Sequence, residues 1–353
     1  MICMKDEMTI KLDQVLKTVL TNKTPIIITQ KEKEFISKIK YKTELLNKNN
    51  ITRTKAYLSF YLEFPEIHWA FLAHMVSRNG GYNMTDLKSS LLSPFLTPNQ
   101  QVTLFHFLER ANSLIFHDAY PQLLLYKKSK EENISYFHLL PVFSVSTFMI
   151  PIWEYFLQNK LDPILLTYAL ITNEQHYVEN HLMSLNETKQ SILHTFMYLI
   201  QETLGFTHVI FPYKRYLFLR KYSLSGIEVH NFQSVQTRIN IGKKLYQILF
   251  SKHSYSSTFD FAKNQVHSGS RSDYWPHEYT TRQNKSKIFS PTLCLVWENV
   301  KHHYPKNKDW YTNFSQIQSW KDEDKVDFKD ITRDVKRDLK LLKSLGKVPN
   351  LMK

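Results

Sequence analysis

The stretch His267-Ser268-Gly269-Ser270-Arg271-Ser272-Asp273-Tyr274-Trp275-Pro276-His277 brings chemically versatile side chains closest together in this 353-residue chain. Gly269 can present backbone N–H groups to an anion, and the planar fork of Arg271 can make a two-point contact with phosphate or carboxylate. Asp273 can orient either Arg271 or a histidine, and Tyr274 and Trp275 can anchor the segment to a core. The alternative is that an Arg271–Asp273 pair staples a long loop and binds nothing. Ser270, His267 and Asp273 have the residue types of a hydrolytic triad, but Ser270 lacks the G-x-S-x-G surroundings that expose a nucleophile.

A second constellation runs from Pro65 to Asp86, apolar nearly all round yet carrying Glu66, His68, His74 and Arg78 and the pair Gly80-Gly81. With Pro65 at a first helical position, Glu66, Ala70, His74 and Arg78 form one line along a helix. Enclosure of that helix would bury their polar groups and oblige them to find partners. Asn79-Gly80-Gly81 would end the helix, with Asn83 and Asp86 starting the next. In a third constellation, residues 107–122, Glu109, Asn112 and Ser113 share a face and His117 and Asp118 follow; helix-end capping is an ordinary use of such residues. Glu174, His176, Glu179 and His181 fall on one expected helix without the Glu-x-x-His spacing of a di-iron bundle, and read as a solvated face.

The positioning elements read as helices. Thr97-Pro98-Asn99-Gln100 combines a cap, a first-turn proline and a third-position Gln ahead of a helix over 102–116. Further helices are expected at 121–128, 147–158, from Asp162-Pro163 to about Leu182, at 188–204, from Phe232 to Leu249, at 292–302 after Ser290-Pro291, and at 321–345. Residues 207–229 read as a connector with a short extended piece. Residues 1–50, Lys-rich and broken at Pro25, read as a loosely attached arm.

Composition narrows the classes. Hydrophobic residues make up 42% of the chain and aromatic ones 14%, enough for a core without disulfides. Cys3 and Cys294 alone supply neither a secreted disulfide framework nor a zinc motif. The first eleven residues lack the apolar core of a secretory signal, and the apolar run 134–153 is interrupted by polar residues and two prolines, so no membrane insertion is expected and the cytoplasm is the expected compartment. The net charge of +14 is uneven: residues 206–320 hold 16 Lys and Arg against 6 acidic residues. Such an excess attracts anions, although a Lys-, Asn- and Ile-rich composition accounts for part of it. No Walker A loop, Rossmann fingerprint or kinase motif set is present, and no motif specifies a cofactor or a metal.

Glu66 to Leu87, the segment 108–126 with Asp118-Ala119-Tyr120-Pro121-Gln122-Leu123-Leu124-Leu125-Tyr126, Ile241-Gly242-Lys243-Lys244-Leu245-Tyr246 and His267 to His277 together resemble the YppC-like family of uncharacterised Bacillus-type proteins, over about residues 50–320. The resemblance implies a cytosolic bacterial protein and carries no activity, cofactor or catalytic residue with it. The expected fold is all-α: a helical core over 51–320, the arm at 1–50, and a charged helix over 321–353. The first functional expectation is a basic pocket near 267–277 that takes a phosphorylated small molecule or nucleic acid, built from His267, Ser270, Arg271, Asp273 and Tyr274 with His74 and Arg78. The alternatives are a non-catalytic interaction protein whose buried polar motifs are structural, and a metal- or acid/base-dependent hydrolase. The sequence leaves open whether it is an enzyme and how many copies associate.

Overall fold

A computed structural model describes residues 2–21, 26–182, 208–215, 221–229, 234–284, 286–306, 308–322 and 325–345. The helices are α1 (Ile2–Thr21), α2 (Gln30–Leu46), α3 (Asn50–Glu63), α4 (His68–Asp86), α5 (Pro98–Glu132), α6 (Met149–Leu157) and α7 (Pro163–Leu182), then α8 (Val235–Leu249), α9 (Tyr255–Asn264), α10 (Leu293–Val296) and α11 (Thr332–Leu345). Between α7 and α8 the antiparallel hairpin β1 (His208–Tyr213) and β2 (Ser223–Glu228) pairs His208 with Glu228; β3 (Tyr279–Thr280) and β4 (Ile288–Phe289) form a short parallel pair. The fold is therefore mostly helical, not strictly all-α. No described helix is long and apolar enough to cross a membrane.

Helix α4 is the enclosed element. Fifteen of its 19 residues are buried, and it packs on α3, α5, α7, α8, α10 and β1. The main core cluster reaches from Leu12 and Leu16 in α1, through Ile36 and Ile39 in α2, to Leu339 and Leu342 in α11, so the first and last described helices both contribute to it. Thr97 caps α5 as its sequence dictates: its hydroxyl accepts from Gln100 N and Gln100 Oε1 accepts from Thr97 N. Asp162 likewise caps α7 by accepting from Leu165 N.

Several expected boundaries move, each through tertiary packing. The chain turns at Pro65-Glu66 and α4 begins at His68, so Glu66 leaves the His74–Arg78 line and accepts from Tyr126 and Lys130. Gly80 and Gly81 do not end the helix, which continues to Asp86. Pro121 does not divide α5, because the flanking turns bury Tyr120, Leu123, Leu124 and Leu125 and this burial outweighs the lost hydrogen bond. Residues 292–302 yield only the short α10, since Trp297 turns extended and donates to Met84 O. Among the described residues of 321–345 only α11 is helical, and Phe328 ahead of it packs on Tyr213. The helix expected over 188–204 lies outside the described residues.

The hairpin is tied to α4 by Asn79, whose side chain donates to Ile210 O (2.8 Å) and accepts from Ile210 N (3.0 Å). A helical asparagine thus serves one strand residue as a neighbouring strand would. Within the hairpin, Gly226 is required: its φ is +142°, and a Cβ there would collide with Val209 O.

Candidate functional site

The segment 267–277 does meet α4, but inside the protein. Arg271 Nε donates to Asp86 Oδ1 and Oδ2 (3.0 and 2.8 Å), its Nη1 to the Tyr274 hydroxyl (2.7 Å) and its Nη2 to Asn83 Oδ1 (3.3 Å). Burial opposes the guanidinium charge, and the Asp86 carboxylate overcomes it, holding the Arg271 pKa above its ordinary value. The Arg271 partner is therefore Asp86 rather than Asp273. Asp273 is already occupied: it accepts from Ser268 N (3.0 Å) and Ser268 Oγ (2.6 Å) and faces Arg78 Nη2 at 3.7 Å.

Arg78 donates to Gln265 O (2.8 Å) and lies over the Phe261 ring, 4.5 Å from its centroid. His74 donates through Nδ1 to Thr54 O, and burial followed by the nearby Arg78 holds its imidazole neutral, well below the usual range. His267 contacts Asn50 Oδ1 through Nε2 (2.9 Å), has Nδ1 3.6 Å from Asp273 Oδ2, and is lowered by burial to about 4. Ser270 gives its hydroxyl to Ser290 O (2.6 Å), so Ser270, His267 and Asp273 do not line up as a triad. All seven expected binding residues are buried, and they form a connected polar core that joins α4 to the loop.

Gly81 makes this approach possible. A Cβ at Gly81 would collide with Asn50 Oδ1 and stand 2.6 Å from His267 Nε2. Although alanine favours helix, Gly81→Ala should destabilise by about 1–3 kcal/mol, because the clash opens the α3–α4–loop junction. A urea midpoint at or above the parental one would contradict that role for Gly81.

The charge exposed near this loop lies at its end. The half-buried His277 has its pKa lowered first by burial, then by Lys221, with Lys336 and Lys287 adding to the effect and Glu278 opposing it. The three lysines are exposed; Lys287 donates to Pro276 O (2.7 Å) and Lys336 sits 5.6 Å from the Trp275 ring centroid.

The third constellation is an internal network. Arg53 donates to Glu109 Oε2 (2.5 Å) and Asn47 Oδ1 (3.1 Å), His302 Nε2 lies 3.5 Å from Glu109 Oε1, and Ser113 bonds the Tyr304 hydroxyl. His117 stacks on Tyr304 and bonds Tyr177. The expected solvated face on α7 is in part interior: Glu174 and His181 are buried, with Glu174 accepting from Trp69 Nε1 (3.1 Å). Burial raises both Glu174 and Asp118 to about 8. The local sequence around Glu174 carries no sign of this; Asp118, amid apolar residues, offers a partial one. Among the described residues no three His, Cys, Asp or Glu side chains form a metal-binding group.

The family model described as "Protein of unknown function (DUF2515)" matches residues 45–342. The chain belongs to this family. It is 39% identical over 280 residues to the uncharacterized protein YppC of Bacillus subtilis (strain 168), covering 79% of this chain and 84% of that one. No solved structure matches. The span of this DUF2515 member matched by the family model contains the α4–loop polar core, the Arg53–Glu109 network and the lysines around His277.

Proposed function

We propose that this protein binds a phosphate-bearing partner, with nucleic acid as the first class to test, on the surface patch of Lys221, Lys287, Lys336 and His277. The buried groups of 267–277 then serve as the scaffold that holds the patch. The observation that carries the reading is the placement of exposed lysines at the end of the loop, Lys287 on Pro276 O and Lys336 over the Trp275 ring, with Lys221 acting on His277 in the same sense. Arg271 supports the division of labour, because Asp86, Tyr274 and Asn83 already occupy its fork.

Fluorescence anisotropy with single-stranded DNA, duplex DNA and RNA across a salt series tests the patch. Counterion release predicts a log–log slope of about −2 to −3 for three phosphate contacts. Lys221→Glu/Lys287→Glu/Lys336→Glu should abolish binding while leaving the denaturation midpoint in place. Unchanged affinity in that variant, or no binding of any polyanion or of inorganic phosphate at low salt, would overturn the proposal.

Arg271→Lys separates scaffold from site. An ammonium cannot reproduce the contacts of the guanidinium fork, so stability should fall while affinity per folded molecule stays the same. Full stability with lost affinity would return the anion site to Arg271.

A further inference from the structure

A cavity of ≈ 170 Å³ lies among α3, α4, α5, α7, α8 and β1, walled largely by apolar side chains including Leu72, Val76, Ile115, Ile171, Ile241 and Leu245. For scale, an engineered apolar cavity of about 150 Å³ holds benzene. Two polar groups give this one a direction. Tyr57 lines it, is 2% exposed, and its hydroxyl has no hydrogen-bond partner among the described residues. A buried hydroxyl without a partner is costly, and a ligand that completes it recovers that cost.

Glu174 is the second group. Its Oε2 accepts from Trp69 Nε1 and its Oε1 accepts from Gln175 Nε2 (3.3 Å), and neither bond uses the proton that the acid carries when neutral. Burial chiefly raises its pKa to about 8, so at neutral pH it is mainly a donor. Of the charged residues on the facing helix, Arg238 lines the cavity; it donates to Gln175 Oε1 (3.0 Å) and pairs with Glu179. A guanidinium in the lining disfavours a cationic ligand. Two donors within apolar walls fit an acceptor oxygen on an otherwise apolar body; the pairing of a tyrosine with a neutral carboxylic acid around one oxygen has a precedent in ketosteroid isomerase.

We propose that this cavity binds a small, mainly apolar molecule bearing a carbonyl oxygen, which accepts hydrogen bonds from the Tyr57 hydroxyl and the Glu174 carboxyl. The site is separate from the lysine patch and stands or falls independently of it.

Three probes of similar size test the assignment: acetophenone, ethylbenzene, which lacks the oxygen, and 1-phenylethylamine, which is cationic. Binding is read from methyl NMR shifts of Ile115, Ile171 and Ile241. Acetophenone should shift these methyls saturably and bind about tenfold tighter than ethylbenzene, the order expected from one or two neutral hydrogen bonds. Tyr57→Phe, which deletes only the unpartnered oxygen, should narrow that ratio severalfold without lowering the thermal midpoint. No shift with any probe, equal binding of acetophenone and ethylbenzene, or preference for the amine would overturn the proposal. The parental comparison decides this even if the variant folds poorly.

Discussion

Replacing Arg53 by methionine should destabilise the protein by about 3–5 kcal/mol, a large part of the roughly 5–15 kcal/mol that holds a typical domain folded. Arg53 and Glu109 are both buried, and removing the guanidinium leaves the carboxylate facing the His302 imidazole at 3.5 Å without its guanidinium partner. The cost comes from the uncompensated carboxylate rather than from lost contact area, since methionine keeps much of the apolar stem. Arg53→Met/Glu109→Leu should therefore recover most of the loss. Urea denaturation of the two singles and the double measures the coupling. A loss below about 1 kcal/mol in Arg53→Met, or a double variant no better than the worse single, would show that the pair is not coupled in this way.

Between pH 6.5 and 8 stability should fall as pH rises. Asp118 and Glu174 have folded pKa values of about 8, raised from 3.8 and 4.5 chiefly by burial, so in this window the unfolded chain has released protons that the folded chain keeps. Stability from such groups is fully present below the unfolded pKa and is lost as pH climbs through the folded one, at up to about 1.4 kcal/mol per pH unit for each group. The depressed histidines act at lower pH and with the opposite sign. His117, His176 and His267 are each depressed to about 4 from 6.5, so their contribution is lost as pH falls from 6.5 towards 4 and is constant above it. Thermal midpoints taken from pH 6.5 to 8.5 should decline and then level off, and Asp118→Asn/Glu174→Gln should flatten the decline. A midpoint that rises across the window, or a decline that persists in the double variant, would contradict the assignment of neutral buried acids.

The sequence determined those features whose physical cause is local. The all-round apolar run 67–76 has no face to offer water, so α4 had to be enclosed, and it is. Thr97-Pro98-Asn99-Gln100 and Asp162-Pro163 satisfy the first N–H groups of α5 and α7 with side chains two or three residues away, and both helices start there. The family, too, was legible in the long motifs of 66–87, 108–126, 241–246 and 267–277, and the match over 45–342 bears it out. The tertiary structure alone decided the rest, because the deciding partner was distant in the chain. Arg271 has an acid two residues away, but Asp273 is bonded to Ser268, and the carboxylate that reaches the guanidinium is Asp86, 185 positions earlier. Asn79 and Gly81 look like a helix stop, yet one completes the backbone of β1 and the other admits Asn50 and His267; neither β1 nor the loop is adjacent in sequence. Glu174 sits on a polar-looking turn of α7 and becomes a neutral interior acid because α3, α4 and α8 close over it, and burial is a property of the assembled helices that no local pattern encodes.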